Sequence, residues 1–526
     1  MKRITLFFAI SLSCFLASPA FAQRADLDAA MRKLNMAAIM TSIYYVDSVD
    51  NSKLIEDAIN GMLAKLDPHS QYSNAKDTRR MNESLEGSFE GIGVQFNILD
   101  DTLVVIQPVS KGPSEKVGIL AGDRIISVND TTIAGVKMSR EEVMSRLRGP
   151  KGTKVKLGII RDGVSGISYF TVKRDKIPVN TLDAAYMVTP DIGLIRFTSF
   201  GQTTPSEVKE ALDKLKRQGM QKLIIDMQQN GGGLLNVAAE ITSQFLPKGD
   251  TIVYTRGRSV PDQTFISSGG QGWPDGKVAV LIDEYSASAA EILTGAIQDQ
   301  DRGIVIGRRS FGKGLVQRPV ELPDGSMIRL TVARYYTPSG RCIQKPYTKG
   351  DKDSYSKDVI NRYNRGELSH ADSIHFPDSL RYTTRKKGRT VYGGGGIMPD
   401  YFIPLDTTRF TKCYRELSAK SLIINASLRN MDKNRKRLAK QWSDFEAFKT
   451  RYEIPDEIVE NILKEGEKQN IKPRDEEERK QTVIQLKQIL KALTARDLWD
   501  MSEYFAIIYE DDPVVRKAVE LLNAED

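Results

Sequence analysis

Histidine and cysteine are scarce in this 526-residue chain: the three histidines are His69, His370 and His375, and the three cysteines are Cys14, Cys342 and Cys413. Each mechanism that needs either residue therefore has few candidates. No cysteines form a C-x-x-C pair and no two histidines stand four residues apart, which argues against a metal centre of the familiar spacings. Charge of one sign is not concentrated either. The 76 basic and 68 acidic residues leave a net charge of +8, a small excess for this length that gives little ground for a nucleic-acid partner. Hydrophobic residues at 40% and charged residues at 27% exclude a wholly disordered chain, a collagen-like repeat and a multi-span membrane protein. The length predicts three or four domains.

The N-terminus carries Lys2 and Arg3, an apolar run from Ile4 to Leu16, and Ala20-Phe21-Ala22 before Gln23, the pattern of an export signal over residues 1–22. The run is shorter than the roughly 20 residues a spanning helix needs. Ser11 and Ser13 before Cys14 disfavour a lipoprotein site. Export leaves Cys342 and Cys413 either as one disulfide or as two buried thiols.

Apolar residues at helical spacing, such as Met36, Ile39, Met40 and Ile43, make residues 23–84 a helical region. Leu66-Asp67-Pro68-His69-Ser70 breaks it. Residues 85–178 change to short β-rich runs bounded by Gly, Asp and Asn, which predicts a separate domain. From 179 to 344 strands and helices alternate, the rhythm of an α/β core with a largely parallel sheet. Residues 345–390 are polar and read as an inserted surface loop holding two of the histidines. Residues 391–406 return to the core, and 407–526 form a charged helical extension without an evident site.

An apolar strand, Val278 to Asp283, runs into a helix through Glu284-Tyr285-Ser286-Ala287-Ser288-Ala289-Ala290-Glu291. A serine at such a turn is exposed, and the following backbone N–H groups point at developing oxyanion charge. The competing reading is structural: Ser288 to Glu291 also fits a capping box. The usual base is histidine, and none lies in this segment. A lysine serves if burial lowers its pKa, and Phe311-Gly312-Lys313-Gly314 offers one, with Gln317 placed to orient the amine. Gly307 to Lys313 also matches the start of a phosphate-binding loop, but Gly314 stands where Ser or Thr would hold magnesium, and a strand-like run follows. The bland reading of Lys313 is a solvated loop lysine. Asn230-Gly231-Gly232-Gly233 at a strand end frees amides for an oxyanion, or is a plain strand-to-helix turn.

Together these segments resemble the C-terminal processing peptidases, or tail-specific proteases, an exported serine-lysine family. The matching pieces are Leu66 to Ser70, Gly91 to Val94, the glycines after Asn230, Ser286 to Ile292, Phe311 to Gly314 with Gln317, Tyr336 to Arg341 and Gly393 to Asp400. The resemblance implies an α/β protease core with an inserted β-rich PDZ domain and helical N- and C-terminal regions. It implies Ser288 as nucleophile, Lys313 as general base and Gln317 as its orienting residue, with Gly232 and Ala289 amides, or Gly233, forming the oxyanion hole. Gly91, Ile92, Gly93 and Val94 would bind a peptide C-terminus as a PDZ domain does. Arg148, between that domain and the core, would transmit groove occupancy. Gly231 departs from the family's usual proline and loosens the oxyanion loop; Cys342 stands where serine is common.

The expected activity is endopeptidase cleavage of unfolded or tailed protein substrates, without cofactor or metal, in the periplasm or on the outer side of the cytoplasmic membrane. The helical regions are candidates for pairing with a second copy or an adaptor. The alternatives are a non-catalytic peptide- or ligand-binding protein on the same fold, and an esterase, which would leave the PDZ-like domain without a purpose.

Overall fold

The computed structural model describes residues 19–524, apart from 271 and 274. Most of the expected export signal, with Cys14, lies outside the described residues. No helix among the described residues is long and apolar enough to cross a membrane.

Helices Pro19–Tyr44, Asn51–Ala64 and Ala75–Glu86 build the N-terminal region. Asp50 and Asn74 cap the second and third through their side chains, and Gly87 ends the third in the left-handed conformation at φ +67°. Leu66 to Ser70 then leads into the strand Gln71–Ser73, which pairs with Met327–Tyr336 of the core.

In the β-rich domain, strands Val94–Leu99, Thr102–Pro108, Arg124–Val128, Lys154–Ile160 and Ser168–Lys173 lie in that order in one antiparallel sheet. Alternation decides their faces: Val155, Leu157 and Ile159 are buried, whereas Lys154 and Lys156 point outward. The helix Arg140–Leu147 starts on a complete capping box from Ser139 and Glu142, and buries Val143 and Leu147 against this sheet. Val94–Leu99 pairs only with Thr102–Pro108, so its other edge is open.

The core sheet runs Leu182–Met187, Ile192–Phe197, Lys222–Asp226, Lys277–Ile282, Ile304–Gly307, Tyr401–Phe402. All its pairs are parallel except the first. Its central strands are apolar on both faces, as buried parallel strands require. Helices Thr204–Arg217, Leu235–Ser243 and Ala289–Asp299 cover one face. The other is covered by the end of the chain, where Tyr509, Val514, Val515, Ala518 and Leu522 pack on Ile192, Leu194, Ile224, Ala279, Leu281 and Ile306. The extension is therefore two things. Residues 412–498 build a second core that Ile507 also enters, while helices Met501–Ile508 and Pro513–Asn523 complete the α/β layer. The hydroxyl of Tyr509 donates to Asp226 Oδ2 (2.5 Å), which also accepts from the buried Arg196 (2.5 Å).

The expected surface loop at 345–390 is instead partly built into the core. Arg362, in the helix Asp358–Asn364, is fully buried and donates to the carbonyls of Arg309 and Ser310. A guanidinium has enough donors to satisfy loop carbonyls from inside, which polar composition alone does not reveal. Cys342 and Cys413 are both free thiols. The segment after Lys313 is the strand Leu315–Glu321, not the helix a phosphate-binding loop leads into.

Candidate active site

Three chain segments meet at the carboxyl ends of three adjacent parallel strands, where open α/β sheets place their ligands. The glycine loop follows Lys222–Asp226, Ser288 follows Lys277–Ile282, and Lys313 follows Ile304–Gly307.

Ser288 begins the helix Ala289–Asp299 at φ +56°, ψ −115°, away from the extended geometry of an ordinary N-cap, and its side chain makes no capping hydrogen bond. Ser288 and Glu291 nevertheless keep the reciprocal arrangement of the expected box, its firm half being Ser288 N–H donating to Glu291 Oε2 (2.8 Å). Strain of this kind costs about 1–3 kcal/mol and persists only where surroundings enforce it.

Glu291 does the enforcing. It is fully buried and accepts from Ser288 N (2.8 Å), Lys313 N (2.9 Å), Gly312 N (2.7 Å) and Ser310 Oγ (2.5 Å). Burial pushes its pKa up while these four donors pull it back. On the opposite side, the fully buried Tyr335 hydroxyl donates to the carbonyls of both Ser288 and Lys313. One carboxylate thus ties the N–H groups of the serine and the lysine, and one phenol ties their carbonyls.

Lys313 is largely buried, and desolvation, helped by Arg329, pulls its pKa from 10.5 down to about 8 against the charges of Glu291 and Asp67. It is not the solvated loop lysine of the bland reading. Among the described residues no hydrogen bond joins Lys313 Nζ to Ser288 Oγ or to Gln317. Gln317 Nε2 donates to Leu315 O (3.3 Å) and Thr331 Oγ1 (3.4 Å), and Thr331 Oγ1 donates onward to Asp67 Oδ1 (2.9 Å). The N-terminal Leu66 to Ser70 segment therefore braces Gln317 through Thr331. His69 also docks here, its Nε2 2.9 Å from the Tyr355 hydroxyl, and burial together with Lys313 lowers its pKa to about 4. A neutral ring follows near neutral pH.

The glycine loop expected to form an oxyanion hole departs from that expectation in one respect. Gly232 sits against Ser288, since a Cβ there would lie 2.8 Å from Ser288 Cβ and 2.8 Å from Ala289 N, and its φ is +97°. Its N–H, however, is turned onto Asn230 Oδ1 (2.9 Å). A buried amide must find an acceptor, and the Asn230 side chain supplies it. The N–H groups of Ala289 and Gly233 donate to nothing among the described residues.

In the β-rich domain, Gly91 to Val94 lie at one end of a groove between Val94–Leu99 and Arg140–Leu147, with a cavity of about 270 Å³. The N–H groups of Ile92 and Gly93 make no backbone bond, while Ser114 holds the Ile92 carbonyl through N (3.1 Å) and Oγ (2.6 Å). Arg148 lines the same groove, donates to Glu83 of the helix Ala75–Glu86 (2.7 Å) and lies over the Phe89 ring at 4.5 Å.

Sequence reasoning missed Tyr335, His69 and Asp67 as neighbours of the site, and saw Glu291 only as a cap partner. The Leu66 to Ser70 motif contained Asp67 and His69 without assigning them a role, and the spacing of Ser288 and Glu291 was the local signal for Glu291.

Residues 191–353 match the model of peptidase family S41, 91–166 that of the PDZ domain, 17–78 that of the activating protease CtpB N-terminal domain, and 413–500 a family of unknown function. The chain is 40% identical over 305 residues to a carboxy-terminal-processing protease of Bartonella bacilliformis, covering 57% of this chain and 69% of the relative. Two Bacillus subtilis proteins are similar. The carboxy-terminal processing protease CtpA is 35% identical over 349 residues (65% of this chain, 74% of the relative). CtpB is 36% identical over 335 residues (62% of this chain, 69% of the relative).

Proposed function

The chain belongs to the carboxy-terminal processing proteases, serine-type peptidases of family S41 with a PDZ domain, and on that premise we propose that it is an exported endopeptidase that reads the free C-terminus of a protein and cuts upstream of it. Neutral Lys313 takes the proton of Ser288 Oγ as the serine attacks the scissile carbonyl. The oxyanion is received by the Ala289 N–H and by Gly232, whose amide exchanges Asn230 Oδ1 for the substrate oxygen. Lys313 returns the proton to the leaving amine, and then activates the water that releases the acyl group. Gln317 turns to orient the lysine amine. The serine-lysine bond forms as substrate fills the site, a tightening common on going from a free enzyme to its complex.

The tail joins the open edge of Val94–Leu99 as an added strand, its carboxylate on the amides of the Gly91 to Val94 loop. The substrates are unfolded or tailed proteins, met in the periplasm or on the outer side of the cytoplasmic membrane. The helical regions supply surface for a second copy or an adaptor.

One observation carries the reading: a serine held at φ +56° on the strand end is tied, through Glu291 and Tyr335, to a lysine whose pKa is about 8. The test incubates the mature protein, Ser288→Ala and Lys313→Ala with a loosely folded reporter ending in an apolar free carboxylate or its amide, with products read by mass spectrometry. Cleavage by wild type alone, faster with the free carboxylate, is expected. Cleavage by either alanine variant would sink the assignment, and binding without cleavage by wild type would favour a peptide-binding protein.

Arg148 joins the groove to the N-terminal region through Glu83. Arg148→Ala is expected to slow cleavage of tailed reporters several-fold while sparing the amide. Equal rates for variant and wild type on tailed reporters would show that Arg148 transmits nothing.

A further inference from the structure

We propose, resting on the tail-binding reading above, that Arg140 makes the groove select tails with an acidic side chain two residues before an apolar last residue. The N–H groups of Ile92 and Gly93 fix where the terminal carboxylate goes. Beside them Val94, Met144 and Leu147 line an apolar pocket for the last side chain. A strand added to the open edge advances about 3.3 Å per residue and alternates its side chains. The next side chain on the helix-facing side is therefore two residues back, roughly 7 Å along.

Phe96 and Arg140 stand at that point. Phe96 is two residues beyond Val94 on the strand, and Arg140 is four residues before Met144 on the helix, about 6 Å along its axis. Both line the cavity, and the Arg140 guanidinium lies over the Phe96 ring at 4.9 Å. No carboxylate lines this cavity, and Arg140 forms no ion pair among the described residues. Its neighbour Glu141 faces Arg80 instead (3.5 Å). A cation on an apolar groove wall without a counter-ion attracts an incoming carboxylate and repels an ammonium, which gives discrimination by both gain and penalty.

The full Ser288→Ala protein, which cannot consume the ligand, is titrated by fluorescence anisotropy at low ionic strength with labelled peptides ending in aspartate-alanine-leucine, asparagine-alanine-leucine or lysine-alanine-leucine. The amide of the first peptide serves as control. The aspartate tail is expected to bind about tenfold tighter than the lysine tail, with asparagine between them. Adding Arg140→Gln levels the three, and Arg140→Glu reverses their order. Equal affinities for the three tails, with the amide still weak, would overturn the role of Arg140 and leave tail reading intact. An amide that binds as well as the free carboxylate would overturn tail reading, and this inference with it.

Discussion

Lys313→Ala is expected to lower kcat by about four to six orders of magnitude, as loss of one member of a cooperating nucleophile and base pair does elsewhere, without lowering the melting temperature. An amine in a desolvated site costs folding energy, so its removal relieves the core while it disables the chemistry. The pH dependence carries the physical content. A base acts only when unprotonated, and a lysine with a pKa of about 8 is neutral in about a tenth of molecules at pH 7, against about one in three thousand for an ordinary lysine. The rate of acylation should therefore rise about tenfold from pH 7 to pH 9, with its midpoint near 8, and fall as pH drops and the ammonium form returns. Lys313→Arg should be as inactive as alanine, because a guanidinium stays protonated. Single-turnover labelling of Ser288 with a fluorophosphonate across this range checks the claim. A midpoint near 10, or a flat profile, would mean that Lys313 is not the base.

Glu291→Ala should be nearly as damaging, for a different reason. Its carboxylate satisfies three backbone N–H groups and one hydroxyl inside the protein, and without it those donors are stranded at about 1–3 kcal/mol each, not additively. A loss of about 3–5 kcal/mol is a large part of the 5–15 kcal/mol that holds an ordinary domain folded. Released from its tie, Ser288 relaxes from φ +56°, and the spacing to Lys313 is no longer fixed. Glu291→Gln separates the two effects: it keeps the shape but sets an NH₂ against a donor. It is expected to melt closer to wild type yet label Ser288 about a hundredfold more slowly. Wild-type melting and labelling for Glu291→Ala would show that the carboxylate holds nothing in place.

Much of this architecture was legible in the chain. Short β-rich runs bounded by Gly, Asp and Asn marked the separate sheet domain, and its strands alternate because Val155, Leu157 and Ile159 meet a core on one side while Lys154 and Lys156 meet water. The run Val278 to Asp283 followed by small residues put Ser288 at a strand-to-helix turn, and the glycine-flanked Lys313 was visible as a base once histidine was wanting nearby. The capping box at Ser288 was also legible, but not that its Glu291 carboxylate serves the lysine loop as much as the helix.

The sequence by itself determined which segments become strands and helices, since local periodicity encodes them, and its family resemblance singled out Ser288 and Lys313 as candidates for nucleophile and base. Only the tertiary structure decided that Asp226, Ile282 and Gly307 end side by side, bringing the glycine loop, Ser288 and Lys313 together. It also decided that Tyr335 and the His69 segment close around them, and that Tyr509 and the last helix seal the far face of the sheet. The reason is that strand order and the demand to bury both faces of a parallel sheet join residues hundreds of positions apart, and no pattern repeating every two or four residues encodes such a pairing.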